Sequence, residues 1–321
     1  MTERCWTKHG SILKTGVYVL VLSFLVLFLY RMGAEPWREV AGRGVLVFIL
    51  IVITATGLVI QAQSYRKVAP HGCMVPSLGS MVYIWAISAA VSVVAPLVAA
   101  IATRTALVVR AGMPIPASLQ ASVRQTWIGV EMALLLGGLV LPEIELPYVV
   151  PGSIALLLGW LLMVLTRWSA ARLVQSDSGS GSRIRNWIAP MIAPVRPSVY
   201  PWFAMQIILM SATYLIAFNG LGAELEVTEA VALSSLTVVM SVLVFVPNGL
   251  GFTDAVWVLV ATKSGLTMEK AVALAIIFRI SHLMAAILLS AVMRLIALAR
   301  ARCGGKGSEV DVGSLFIGSR E

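Results

Sequence analysis

Arg279 lies deep within the apolar run 271–293, and His282 follows three residues later on the same helix face. A guanidinium surrounded by hydrocarbon needs a partner. Asp254, across an expected hairpin, is the partner this sequence offers. Two readings fit: a buried ion pair that only holds the fold, or an arginine kept ready for an anion. Just upstream, Pro247-Asn248-Gly249-Leu250-Gly251-Phe252-Thr253-Asp254 would stop one helix and start another. Asn248 or Thr253 could cap the new helix. A half-helix N-terminus at membrane depth, built on Asn248, Gly249 and Gly251, suits a phosphate or a carboxylate. The same stretch also reads as a plain helix–loop–helix corner.

The first half of the chain offers a second set. Arg124 and Glu131 are seven residues apart and share a helix face. Arg104 and Arg110 flank a short apolar piece ahead of Gly112. Converging arginines recognise a phosphodiester better than lysines do, through planar bidentate donors. Arg104 and Arg110 also read as side chains that snorkel to an interface. Trp85, Trp127, Trp160, Trp202 and Trp257 read as packing or interface anchors. There is no P-loop, no His-Glu-x-x-His pair and no Ser/His/Asp set. His9, His71 and His282 lack metal-ligand spacing, and Cys5, Cys73 and Cys303 are too scattered for a disulfide framework. Neither an enzyme nor a cofactor is expected.

The elements that must position these residues are membrane helices. Of 321 residues, 59% are hydrophobic and 12% charged, whereas soluble domains carry roughly 25% charged residues. A soluble enzyme and a disordered chain are excluded. The net charge of +9 is spread through loops rather than gathered in a basic run with aromatics, so no nucleic-acid partner is expected. At about 20 apolar residues per crossing, spans are expected at 16–30, 44–60, 80–96, 116–141, 148–166, 202–219, 229–246 and 271–293. The pieces 97–110 and 250–262 are too short to cross alone. The first span follows Arg4, Lys8 and Lys14 and lacks a clean cleavage site, so it reads as uncleaved.

Arginines and lysines set the orientation. The 167–196 loop carries Arg167, Arg172, Arg183, Arg185 and Arg196, and the tail carries Arg294, Arg300, Arg302, Lys306 and Arg320; both read as cytoplasmic. The 142–147 and 219–228 loops hold only acids and read as external. The 31–43 loop is ambiguous. Each half then contains a span, a proline break, a short piece, a glycine and an arginine-bearing span: Pro96, Arg104, Gly112, Arg124 and Pro247, Asp254, Gly265, Arg279. The halves would run in opposite directions, a recurring plan in transporters.

The residues 245–254, with Lys263-Ser264-Gly265-Leu266-Thr267-Met268-Glu269 and Ile277-Phe278-Arg279-Ile280, resemble the transmembrane region of lysylphosphatidylglycerol synthases and related stand-alone flippase-like proteins. The family pattern there is Pro-x-Gly-Gly-x-Gly-x-x-Glu, then Gly-Leu, then a buried arginine. Asn248 stands where the family often has Gly, Asp254 where it has Glu, and Ala99-Ala100-Ile101 where it has a Gly and an acid. Only residues 301–321 follow the last span, so no aminoacyl-transferring part is expected. The resemblance implies movement of a lipid between leaflets.

The expected protein is thus an all-α, polytopic membrane protein of about eight helices in two inverted repeats with Pro/Gly-broken re-entrant segments. Its expected parts are a cytoplasmic N-terminus (1–15), a first half (16–141), a second half (142–300) with a cytoplasmic linker (167–201), and a cytoplasmic tail (301–321). Expected partners are membrane lipids. Arg104, Arg124 and Arg279 would meet the headgroup, with Glu131 and Asp254 holding the arginines when no lipid is bound. The alternative is a non-transporting partner of a lipid- or glycolipid-modifying enzyme. The expected location is a bacterial cytoplasmic membrane.

Overall fold

A computed structural model describes residues 35–70, 72–94, 97–140, 149–175, 195–243 and 252–302. The fold is all-α and polytopic. Ten α-helices lie among the described residues: α1 (Glu35–Ala41), α2 (Gly44–Val68), α3 (Leu78–Val94), α4 (Leu97–Arg110), α5 (Ile115–Val140), α6 (Val149–Gln175), α7 (Tyr200–Leu221), α8 (Val227–Leu243), α9 (Phe252–Lys263) and α10 (Met268–Arg302). The expected span 16–30 lies outside the described residues, as do Pro96 and Pro247. Helix α1 forms within the 31–43 stretch, which reads as a loop in sequence.

Local sequence explains where these helices begin and end. Ala69 leaves α2 in an extended conformation (φ −56°, ψ 142°), as the residue before Pro70 must. Ser77 caps α3 by accepting the Ser80 N–H. At the start of α8, Glu229 reaches back to the Glu226 N–H at 3.0 Å, half of a capping box. Helix α6 runs on to Gln175 because nothing in Thr166-Arg167-Trp168-Ser169-Ala170-Ala171-Arg172 breaks it. Arg167 is therefore a helical residue and not the loop residue that the charge pattern suggested.

Among the described residues, four segments are long and apolar enough to cross a membrane: Gly44–Val68, Ile115–Val140, Pro197–Leu221 and Met268–Ala299. Helices α3 and α8 have 17 residues each, about 25 Å at 1.5 Å per residue, somewhat short of a hydrocarbon core of about 30 Å. Large apolar side chains remain exposed along α2 (Val45, Phe48, Val52), α6 (Leu158, Leu162, Leu165) and α10 (Leu288, Val292, Leu295). Exposed apolar side chains in such number are suited to lipid contact rather than to water.

The two halves share one local design. Helix α4 closes with the Gly112 N–H donating to Val109 O and the Met113 N–H to Val108 O. Helix α9 closes with the Gly265 N–H donating to Thr262 O and the Leu266 N–H to Ala261 O. Both are Schellman turns, and both place glycine in the left-handed region, at φ 98° and 87°. Val108 and Met113 are buried at one turn, and Ala261 and Leu266 at the other. In chain order α2 to α5 correspond to α7 to α10, although α2 ends on extended Ala69 and α7 on left-handed Gly222. The matched helices also pack crosswise, α3 along α10 and α8 along α5, while α2 lies along α7.

Two apolar cores follow. One joins Leu58, Tyr65, Ile84, Val108, Ile128, Phe203 and Ala286. The other joins Leu50, Tyr214, Phe218, Ala261, Leu274 and Ile277. Each takes residues from both halves, so neither half closes a core alone.

Candidate functional site

Three polar clusters sit inside this apolar framework. The first is built on α2, α3, α4 and α5. The Arg104 guanidinium lies over the Trp85 ring, 4.1 Å from its centroid, and its Nη1 donates to Gln125 Oε1 at 3.2 Å. Gln125 is fixed from its other end, where Nε2 donates to Gln61 O and to Ser64 Oγ, both at 3.1 Å. Trp85 is fixed as well, through Nε1 donating to Gln61 Oε1 at 2.9 Å. Tyr65 OH bonds to Ser118 at 2.9 Å and packs on Trp85 with ring centroids 5.0 Å apart.

No acid among the described residues belongs to the cluster. No carboxylate among the described residues lies within ion-pair distance of Arg104. Its Nε is buried without a hydrogen-bond partner, and so are Thr105 Oγ1 and Ser122 Oγ. A neutral amide and an aromatic face hold the cation in place without neutralising it. An anion can therefore complete the arrangement through charge-assisted hydrogen bonds.

The second cluster joins α9 to α10. Arg279 Nη2 donates to Asp254 Oδ2 at 2.8 Å and to Oδ1 at 3.1 Å, and Nε donates to Oδ1 at 3.2 Å. Both side chains are largely buried. Beside the pair stands an aromatic group: Trp257 and Phe278 have centroids 4.8 Å apart, and Tyr214 lies 6.0 Å from Trp257. Trp257 Nε1 donates to Tyr214 OH, which donates in turn to Thr237 Oγ1 at 3.0 Å.

The third cluster is the most enclosed. Arg167 of α6 forms an ion pair with Glu131 of α5, and each is 4% exposed. Arg167 Nη1 also donates to Tyr200 OH at 2.6 Å. The cluster ties α6 to the starts and middles of its neighbours.

Of the residues singled out in sequence, Asp254 and Arg279 lie together as an ion pair. Glu131 does not hold Arg124 or Arg104; it holds Arg167, because packing brings α6 and not α4 against that face of α5. Arg124 Nη1 donates to Val68 O at the end of α2, at 3.3 Å. Asn248, Gly249 and Gly251 lie outside the described residues. The glycine-matched repeat separates the other two arginines as well: Arg124 is twelve residues past Gly112, whereas Arg279 is fourteen past Gly265. Two residues turn a helix by about 200°, so these arginines occupy opposite faces of matched helices.

Sequence reading missed Gln61, Ser64, Gln125, Arg167 and Tyr200, and it took Trp85 and Trp257 for simple anchors. One signal was available. Ser118, Ser122 and Gln125 recur at helical spacing on one face of an otherwise apolar run. Among the described residues, no group of His, Cys, Asp and Glu could hold a metal ion. No protein-family model matches this chain, and no curated protein matches it.

Proposed function

We propose that this protein is a flippase-like transporter that moves a lipid with a phosphate-bearing headgroup across the bacterial cytoplasmic membrane. Its termini would lie in the cytoplasm, and its two halves would run in opposite directions. The observation that carries the reading is Arg104: a largely enclosed guanidinium, held by Gln125 and Trp85, with no carboxylate within ion-pair distance among the described residues. Such a charge is costly within a membrane unless an anion meets it. The resemblance of 245–280 to the transmembrane region of lysylphosphatidylglycerol synthases supports the same reading. In this mechanism Arg104 receives the phosphate, while Arg124 and Arg279 are further contacts along the path. Asp254 holds Arg279 until the headgroup arrives. The role assigned is transport, without chemistry on the lipid.

The test is leaflet exchange in liposomes carrying the purified protein, headgroup-labelled phospholipid and an outer-leaflet quencher. The parent chain should accelerate exchange over empty liposomes, and Arg104→Gln should abolish the acceleration while remaining folded. A parent chain with no exchange, across several headgroups and an imposed proton gradient, would favour the alternative of a scaffold for a lipid-modifying enzyme.

A further inference from the structure

We propose that the Arg104 cluster selects a phosphodiester monoanion, a headgroup with one negative charge and no ammonium group; this inference rests on the lipid reading above. The argument is a count of buried charge. Arg279 is neutralised by Asp254 through both carboxylate oxygens, and Arg167 is neutralised by Glu131. Arg104 alone among these three is held by neutral groups. One uncompensated guanidinium matches one phosphodiester charge, and its planar donors suit two phosphate oxygens.

Other headgroups fit less well. A phosphomonoester brings a second charge, and Arg124, another arginine of this half, is engaged at the end of α2. A zwitterion brings an ammonium group, and the Asp254 and Glu131 carboxylates already hold arginines. A buried charge left unmatched carries a large desolvation penalty. Gln125 is the residue that preserves the selectivity. Its amide nitrogen is pinned by Gln61 and Ser64, so its oxygen stays on Arg104 without neutralising it. A carboxylate at this position would neutralise Arg104 internally.

Lipid binding to the protein purified in neutral detergent, followed by native mass spectrometry and thermal shift, tests this without any transport step. The probes are phosphatidylglycerol, phosphatidylcholine, phosphatidate and deacylated glycerophosphoglycerol. Phosphatidylglycerol should bind about tenfold more tightly than phosphatidylcholine or phosphatidate. Arg104→Gln and Gln125→Glu should each erase that preference, while Arg104→Lys should retain part of it. Equal binding of all three lipids by the parent chain would overturn the proposal, and this comparison needs no variant to fold. A preference that survives in both folded variants would overturn it too. Deacylated glycerophosphoglycerol binding as tightly as the lipid would uphold the charge selectivity and name a soluble source. Selective binding without leaflet exchange would uphold this inference while removing the transport reading.

Discussion

Arg104 and Trp257 occupy equivalent places in the two halves. Each stands eight residues ahead of a positive-φ glycine (104 to 112, 257 to 265), and each meets the residue thirteen beyond it. Arg104 bonds Gln125 at 3.2 Å, and Trp257 packs on Phe278 at 4.8 Å between centroids. The geometry repeats while the chemistry diverges, polar in the first half and aromatic in the second. The cation of the second half has moved to the position after Phe278, where it needs Asp254.

That dependence is measurable. Asp254→Asn and Arg279→Gln should each destabilise the protein by about 3 kcal/mol, because each leaves a partly enclosed charge without its counterpart. The double variant Asp254→Asn/Arg279→Gln should cost less than the sum of the two. Unfolding in detergent, analysed as a double-mutant cycle, reads the coupling; additive costs would show that the pair contributes nothing.

The Glu131–Arg167 pair should behave more severely, being closed from solvent on both sides. Glu131→Gln should cost about 3–5 kcal/mol, whereas Glu131→Leu with Arg167→Met should recover most of that loss. Tyr200→Phe removes the hydrogen bond accepted from Arg167 and the longer one donated to Glu131, and should cost about 1–3 kcal/mol. Melting temperatures of the three variants decide the order. A double variant as unstable as Glu131→Gln would show that the pair supplies more than charge balance.

Helix contacts at glycine give a graded series. A Cβ at Gly137 would stand 2.9 Å from Ser235 Cβ, and one at Gly138 would stand 2.9 Å from Leu157 Cγ and 3.3 Å from its backbone nitrogen. Gly137→Ala and Gly138→Ala should each cost about 1–3 kcal/mol by forcing α8 or α6 away from α5. At Gly220 the obstacle is the methyl end of Leu46, which can rotate, so Gly220→Ala should cost less. At Gly57 there is nothing within 4 Å, and Gly57→Ala should be neutral or stabilising by up to about 1 kcal/mol. Thermal stability in detergent ranks all four, and a Gly57 variant as unstable as Gly137→Ala would contradict the packing described.

The Schellman turns at Gly112 and Gly265 separate backbone strain from crowding. Gly265 has open space around a built Cβ, so Gly265→Ala should cost only its left-handed conformation, about 1 kcal/mol. Gly112 would also meet Met74 Sδ at 3.2 Å, so Gly112→Ala should cost more, and adding Met74→Ala should bring the two glycine penalties closer together. Denaturation of the three variants checks this, and equal penalties without the second change would remove the role given to Met74.

Class and element type were legible in the sequence by itself. Long apolar runs with few charges specify helices because lipid-facing backbone must satisfy its own hydrogen bonds, and proline and glycine mark their ends at Pro70, Gly112 and Gly265 through local sterics. The Asp254–Arg279 pairing was also within reach, since a short hairpin joins the helices that carry them. Pairings across distant helices were not. Arg124 and Glu131 share a face of α5, yet what meets each of them depends on the helix packed there. Only the tertiary arrangement brings α6 with Arg167 to Glu131 and the end of α2 to Arg124. It also assembles Gln61, Ser64, Trp85 and Gln125 from three helices around Arg104. Helical periodicity is a property of one chain segment, whereas a partner is chosen by contacts between segments that the local pattern does not encode.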